Sequence, residues 1–190
     1  MAELLNNQGP EGFLRLINGQ IEKIDTVGTD EMIRLRRDLE KDDSDPSQWF
    51  DLGLALNQAG IHRDVLVTQR EEMLHPDEEE ITVDLSGSAP LYEEALKVFD
   101  RVLQMEPDYY GVQTQRGIVC GNLHRLEEAE QCYLKALKDD DEDFSAAYYL
   151  GLTYRDMGKE ELATKYLALA HELNPDDDSF TNAQGEAVER

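Results

Sequence analysis

The stretch CGNLHRLEEAEQC, residues 120 to 132, holds both cysteines of the chain and one of its four histidines. Cys120, His124 and Cys132 are the residues whose types could bind a soft metal or exchange electrons. A closed zinc site needs about four ligands, and only three candidates lie here without a paired C-x-x-C spacing. A metal or redox role centred on these three residues therefore stands as the alternative reading and not the leading one. His62-Arg63-Asp64 resembles the start of a phosphoryl-transfer loop, but the Leu and downstream Asn of that loop are missing, as is any glycine-rich phosphate loop. Asp139 to Asp143 resembles a calcium loop, but Phe144 stands where the turn glycine belongs and no ligating Glu follows at the twelfth position. No nucleophile elbow, Walker sequence or H-E-x-x-H helix occurs, so the chain is expected not to be an enzyme and to need no cofactor.

Charge narrows the partners. With 42 Asp and Glu against 18 Lys and Arg, the 190-residue chain carries a formal net charge of -24. Such a surface repels phosphate backbones, so nucleic acid is not an expected partner. No apolar run reaches the roughly 20 residues that span a bilayer, and the first residues lack the basic and apolar regions of a secretory signal. Two cysteines make no disulfide framework, and the expected location is the cytoplasm. Most of the acid reads as a solvated surface, with adaptation to a salty interior as the sharper alternative.

What must position any site is an internal repeat. Gly117 and Gly151, Ala129 and Ala163, and Ala136 and Ala170 are each separated by 34 residues, and one further step back from Ala129 reaches Ala95. In that first copy Tyr92, Ala95, Leu96, Phe99, Val102 and Leu103 form a stripe at spacings of three and four, the mark of an amphipathic helix. A second helix of similar length precedes the stripe in the later copies, with Gly117, Ala147 and Gly151 where two helices must approach closely. Gly158 can turn the chain between them. Asp108 and Asp143, at repeat junctions, suit helix N-caps.

This pattern resembles the tetratricopeptide repeat family. The family's preferred places read Trp49, Leu52, Gly53, Leu56, Ala95, Phe99, Val102 and Pro107 in the first copy. In the third they read Ala147, Leu150, Gly151, Tyr154, Ala163, Leu167, Ala170 and Pro175. The middle copy, with Gln113, Arg116, Gly117, Cys120, Ala129, Tyr133, Ala136 and Asp141, is weaker in its first helix. The resemblance implies an all-α fold, a right-handed superhelical array of antiparallel helix pairs with N-terminal helices and a long insertion in the first repeat. Residues 1–43 form the extension, 44–177 the three-repeat domain (46–109, 110–143 and 144–177), and 178–190 a flexible acidic tail. In register, Cys120 takes the place of Leu56 and Tyr154, and Cys132 that of Val98 and Tyr166. Both are packing positions, while His124 replaces Gly158 at an exposed turn.

Two regions depart from the repeat. Gly53 and Ala95 are 42 residues apart where twelve separate their counterparts, so an insertion is expected from about Gly60 to Pro90. Within it, residues 61–77 could be a degenerate partner helix, but Gln69 and Glu72 stand where Phe and Ala are required, so residues 91–105 are the expected partner. Ile81, Val83 and Leu85 alternate as in an extended segment. Before the repeats, Phe13, Leu14, Ile17, Ile21 and Ile24 share one helical face, and Met32, Leu35 and Leu39 another. Asn18-Gly19 could alternatively make a hairpin turn. Two such helices would cover the open first face of the array.

The resemblance further implies that a peptide or helix of a partner is held in a concave groove lined by first helices. The groove positions here are Phe50, Leu54, Asn57, Thr114, Ile118, Asn122, Tyr148, Leu152 and Arg155. They describe an apolar floor with a few amides, to be filled either by a partner protein or by the chain's own N-terminal helices or insertion. One branch of the family grips chaperone C-termini with cations and amides, but the matching places hold Phe50, Leu54, Gln115, Ser145 and Tyr149, which makes that clamp an unsuitable reading. Finally, Leu162, Leu169 and Leu173 give the last helix a second apolar face, a surface for self-association. The expected function is a protein-protein interaction module, as adaptor, assembly factor or chaperone-like scaffold, with a purely self-assembling scaffold as a further alternative.

Overall fold

The computed structural model describes residues 2–78 and 80–175; the tail expected over 178–190 lies outside these residues. Among the described residues all regular structure is helical, in the order α1 (Ala2–Thr26), α2 (Asp30–Leu39), α3 (Pro46–Leu74), α4 (Ala89–Met105), α5 (Val112–Asn122), α6 (Leu126–Asp139), α7 (Phe144–Asp156) and α8 (Glu160–Leu173). A 3-10 turn, Ser86–Ser88, leads into α4. The helices form two compact units, residues 1–107 and 108–190.

In the first unit α3 and α4 make the repeat's helix pair, and α1 and α2 pack against α3. Ile17, Ile21 and Ile24 of α1 and Met32, Leu35 and Leu39 of α2 are buried, so each amphipathic stripe has found its cover. The chain stays helical through Asn18-Gly19, and the hairpin alternative falls away. Pro46 at the first turn of α3 follows Asp45, whose carboxylate accepts a hydrogen bond from the Ser47 amide at 2.9 Å.

The expected insertion from Gly60 is where the structure departs most from the sequence reading. Helix α3 does not stop there but runs 29 residues to Leu74. Gly60 occupies the repeat place of Gly158 and His124, both left-handed with φ of 71° and 56°, yet Gly60 is helical. Its missing side chain serves another purpose, since a Cβ there would lie 2.5 Å from Cε1 of Tyr92. Residues 61–74 contain no breaker, Leu66 and Val67 are buried, and Pro76 follows just past the helix end. The inserted material is therefore about four further turns of α3 plus an irregular return that includes residues 75–78 and 80–85.

The second unit holds two helix pairs, α5 with α6 and α7 with α8. One contact recurs in all three pairs: an aromatic or leucine side chain of the second helix fills the space of a glycine in the first. Phe99 lies over Gly53, Tyr133 over Gly117 and Leu167 over Gly151, so close that a Cβ at Gly151 would be 2.7 Å from Cγ of Leu167. Phe99, Tyr133 and Leu167 keep the repeat's 34-residue register, as do Gly117 and Gly151, while the insertion sets Gly53 further back; the same packing contact is made each time.

The capping expectation divides. Asp143 caps α7, its Oδ1 accepting from the Ala146 amide at 2.9 Å, while its Oδ2 accepts from the Thr114 hydroxyl at 2.5 Å. Asp108 caps nothing: α5 begins four residues later, entered through Gly111 at a φ of 79°, which turns the chain before helical geometry can start. Because Asp143 ties α5 to α7 as well as capping, Asp143→Ala is expected to cost about 1–3 kcal/mol. Urea unfolding followed by circular dichroism checks this, with Thr114→Val as the smaller-effect comparison.

Candidate protein-binding surfaces

The nine groove positions fall in both units, three in the first and six in the second. In the first, Phe50 and Leu54 are half-buried, and the Phe50 ring packs at a tilt on Phe99 with centroids 5.8 Å apart. Asn57 is only 7% exposed, so it serves the interior and not a surface. Helices α1 and α2 lie against α3, and part of that first helix is thereby occupied by the chain itself.

In the second unit α5 and α7 are neighbours, and Ile118, Asn122, Tyr148, Leu152 and Arg155 are all half-buried. Thr114 does not join them. It is 4% exposed and its hydroxyl is committed to Asp143, which corrects its assignment as a groove contact. Tyr148 meets Tyr149 edge-on at 5.4 Å, and Tyr149 stacks on buried Tyr133 at 6.2 Å. Tyr149 itself is exposed. The aromatic cluster fixes this strip's geometry, since rings packed edge-on and stacked have little freedom to collapse.

The proposed self-association face is not one continuous surface. Leu162 is exposed, whereas Leu169 and Leu173 pack with Leu137, Phe144 and Tyr148 around buried Ala147 and Ala170. The second apolar face of α8 is thus partly spent inside its own unit. The stretch that holds the cysteines also resolves: Cys120 lies near the end of α5, Cys132 lies in α6, both are buried, and His124 is exposed in the turn between them. Among the described residues no three His, Cys, Asp or Glu side chains converge as a metal site would require.

Sequence reasoning missed a polar cluster in the first unit. Asp64 accepts hydrogen bonds from the Tyr92 hydroxyl at 2.6 Å and from the Ser88 hydroxyl, and Ser88 is fully buried. Beside it, Arg63 makes a forked pair with Asp25, Nε to Oδ1 at 2.5 Å and the terminal nitrogen to Oδ2 at 3.1 Å. Burial first, and the Asp64 carboxylate second, push the Tyr92 phenol well above its usual range. The triplet His62-Arg63-Asp64 was visible in the sequence, but as a failed catalytic loop. Its role is to hold α1 and the 3-10 turn against the extended end of α3. A cleft of about 380 Å³ adjoins it, lined by Ile24, Asp25, Met32, Arg36, Leu91 and Glu94 among others. Its charged groups are already paired, Asp25 with Arg63 and Arg36 with Glu94 at 2.6 Å.

The helix hairpins, their shared register and their surfaces define a helical-repeat protein. Its third helix pair carries a tetratricopeptide repeat: the profile described as "Tetratricopeptide repeat" matches residues 144–177. The human protein "Superkiller complex protein 3" is 34% identical over 82 residues, which cover 43% of this chain and 5% of that protein. "Anaphase-promoting complex subunit 3" of Schizosaccharomyces pombe is 25% identical over 99 residues, covering 52% of this chain and 15% of that one. The chain thus corresponds to a small part of these relatives. Among solved structures, TTC0263, a thermophilic protein of this repeat type from Thermus thermophilus, is 20% identical with a TM-score of 0.49, covering 92% of this chain and 96% of that one. YrrB, described as having an unusual peptide-binding site, is 18% identical with a TM-score of 0.47 over 97% and 96%. No described helix is long and apolar enough to cross a membrane.

Proposed function

We propose that the chain is a protein-binding scaffold of the adaptor, assembly-factor or chaperone kind, without chemistry of its own, working in the cytoplasm. It takes a helix or peptide of a partner along α5 and α7. The observation that carries this reading is the strip of half-buried side chains Ile118, Asn122, Tyr148, Leu152 and Arg155 on two adjacent first helices. Apolar side chains spaced along a helix pair, with an amide and a guanidinium at the margins, suit the apolar face of a partner helix. The net charge of -24 favours a partner with basic residues around that face, because opposite charge speeds encounter. Two relatives are named as a complex protein and a complex subunit, which supports a role in assemblies.

Affinity capture with the full chain and with Leu152→Asp tests the proposal. A carboxylate placed in the centre of an apolar contact is expected to weaken capture of the main partner about tenfold or more. Leu162→Asp on α8 is the control. If capture survives Leu152→Asp and is lost with Leu162→Asp, the groove reading is wrong and α8 carries the interaction. Light scattering on the same samples shows whether the partner is a second copy of the chain.

A further inference from the structure

We propose that Cys120 and Cys132 are a modification site, a thiol pair that closes into a reversible disulfide across the α5–α6 hairpin. The chain has only two cysteines, and the fold brings them into contact. Both are buried thiols outside any disulfide, one in the last turn of α5 and the other in α6. The repeat supplies an independent measure of how those two places face each other. Advancing both by 34 residues gives Tyr154 and Tyr166, whose ring centroids are 5.5 Å apart. The corresponding residues of the first copy, Leu56 and Val98, are likewise buried. In the middle copy the thiols themselves make a side-chain hydrogen bond. Two facing positions that elsewhere hold bulky partners hold here the only side chains in the molecule able to form a disulfide with each other.

The oxidant the pair would take is a peroxide, and the chemistry closes without a metal. Cys132 is the more accessible thiol, 9% exposed against 3% for Cys120, and meets the peroxide first. Its thiolate attacks one peroxide oxygen, the O–O bond breaks, and the departing hydroxide takes up the thiol proton as water. The resulting sulfenic acid is attacked by the Cys120 sulfur, the S–O bond breaks, and the second hydroxide leaves with the Cys120 proton. Two thiols are oxidised to one disulfide and one peroxide is reduced to two waters. The hydrogen bond with Cys132, then burial, push the Cys120 thiol well above its usual range, so the second step is slow at neutral pH and accelerates as pH rises. Once formed, the bond staples α5 to α6 around the Leu123–Arg125 turn and removes freedom from the unfolded chain.

The test uses the full chain treated with hydrogen peroxide and digested with trypsin without reductant. Cleavage after Arg116, Arg125 and Lys135 places the two cysteines in separate peptides, 117–125 and 126–135. The expected result is that these two peptides are recovered joined, about 2 Da lighter than their sum, and that dithiothreitol separates them. The oxidised chain is expected to melt on the order of 5 °C higher than the reduced one. Cys132→Val, which places there the residue type of the first copy, should fold and yield no joined pair. Recovery of the two peptides apart after exposure that fully oxidises a model dithiol would overturn the proposal. So would disulfide-linked dimers as the main product, or a lower melting temperature in the joined form.

Discussion

Phe99→Ala is expected to destabilise the first unit by about 3–5 kcal/mol, the largest effect of any single substitution in α3 or α4. The ring is fully buried, stands over Gly53 and touches Phe50 at 5.8 Å between centroids. Removing it leaves a cavity roofed by a glycine, which has no side chain to move inward. The paired substitution makes the argument specific. Gly53→Ala alone places a Cβ against the Phe99 ring, and overpacking of that kind costs about 1–3 kcal/mol. In the Phe99→Ala background the same methyl enters vacated space. The two changes should therefore be less than additive by about 1 kcal/mol or more. Trp49, the only tryptophan, lies in α3, so its fluorescence during urea unfolding reports on this unit directly. Additive losses would mean that ring and glycine do not share one contact.

That contact also explains which parts of the structure were legible. Gly53 with Phe99, Gly117 with Tyr133, and Gly151 with Leu167 are one interaction made three times, so a glycine faces a large side chain in every pair, at one spacing in the last two pairs and a longer one in the first, where the insertion intervenes. Helix pairs, register and most of the core follow from it. Gly60 and Gly158 show the limit. They occupy the same repeat place and are the same residue, yet one is helical and packs under Tyr92 while the other turns at a φ of 71°. The cause lies downstream of each glycine: 14 residues without a breaker continue the helix after Gly60, whereas a new amphipathic stripe begins after Gly158. Groove positions were readable as positions, but their exposure was not. Thr114 is withdrawn from the surface by Asp143, a partner 29 residues away that no local pattern announces. The same holds for Asp64, whose partners Ser88 and Tyr92 lie 24 and 28 residues along the chain.

Asp64→Ala is the second change expected to act strongly, at about 2–5 kcal/mol. The carboxylate satisfies two hydroxyl groups, Ser88 and Tyr92, that share no other acceptor in the cluster, and each donor left unpaired away from water costs about 1–3 kcal/mol. Tyr92→Phe separates the parts. It keeps the ring in the space above Gly60 and removes only its hydroxyl, so about 1–2 kcal/mol is expected, with the Ser88 bond intact. Because Ser88 ends the return that connects the long α3 to α4, loss of Asp64 should also loosen residues 75–85 before the unit unfolds as a whole. Limited proteolysis under native conditions reads this directly, as faster cleavage within 75–85 in Asp64→Ala than in Tyr92→Phe. Equal cleavage in the two variants would show that the return is held by its apolar contacts and that the acid serves only the tyrosine. Faster cleavage in the first alone assigns Asp64 a task that the repeat itself does not require, anchoring the extra turns that distinguish this chain's first hairpin from the other two.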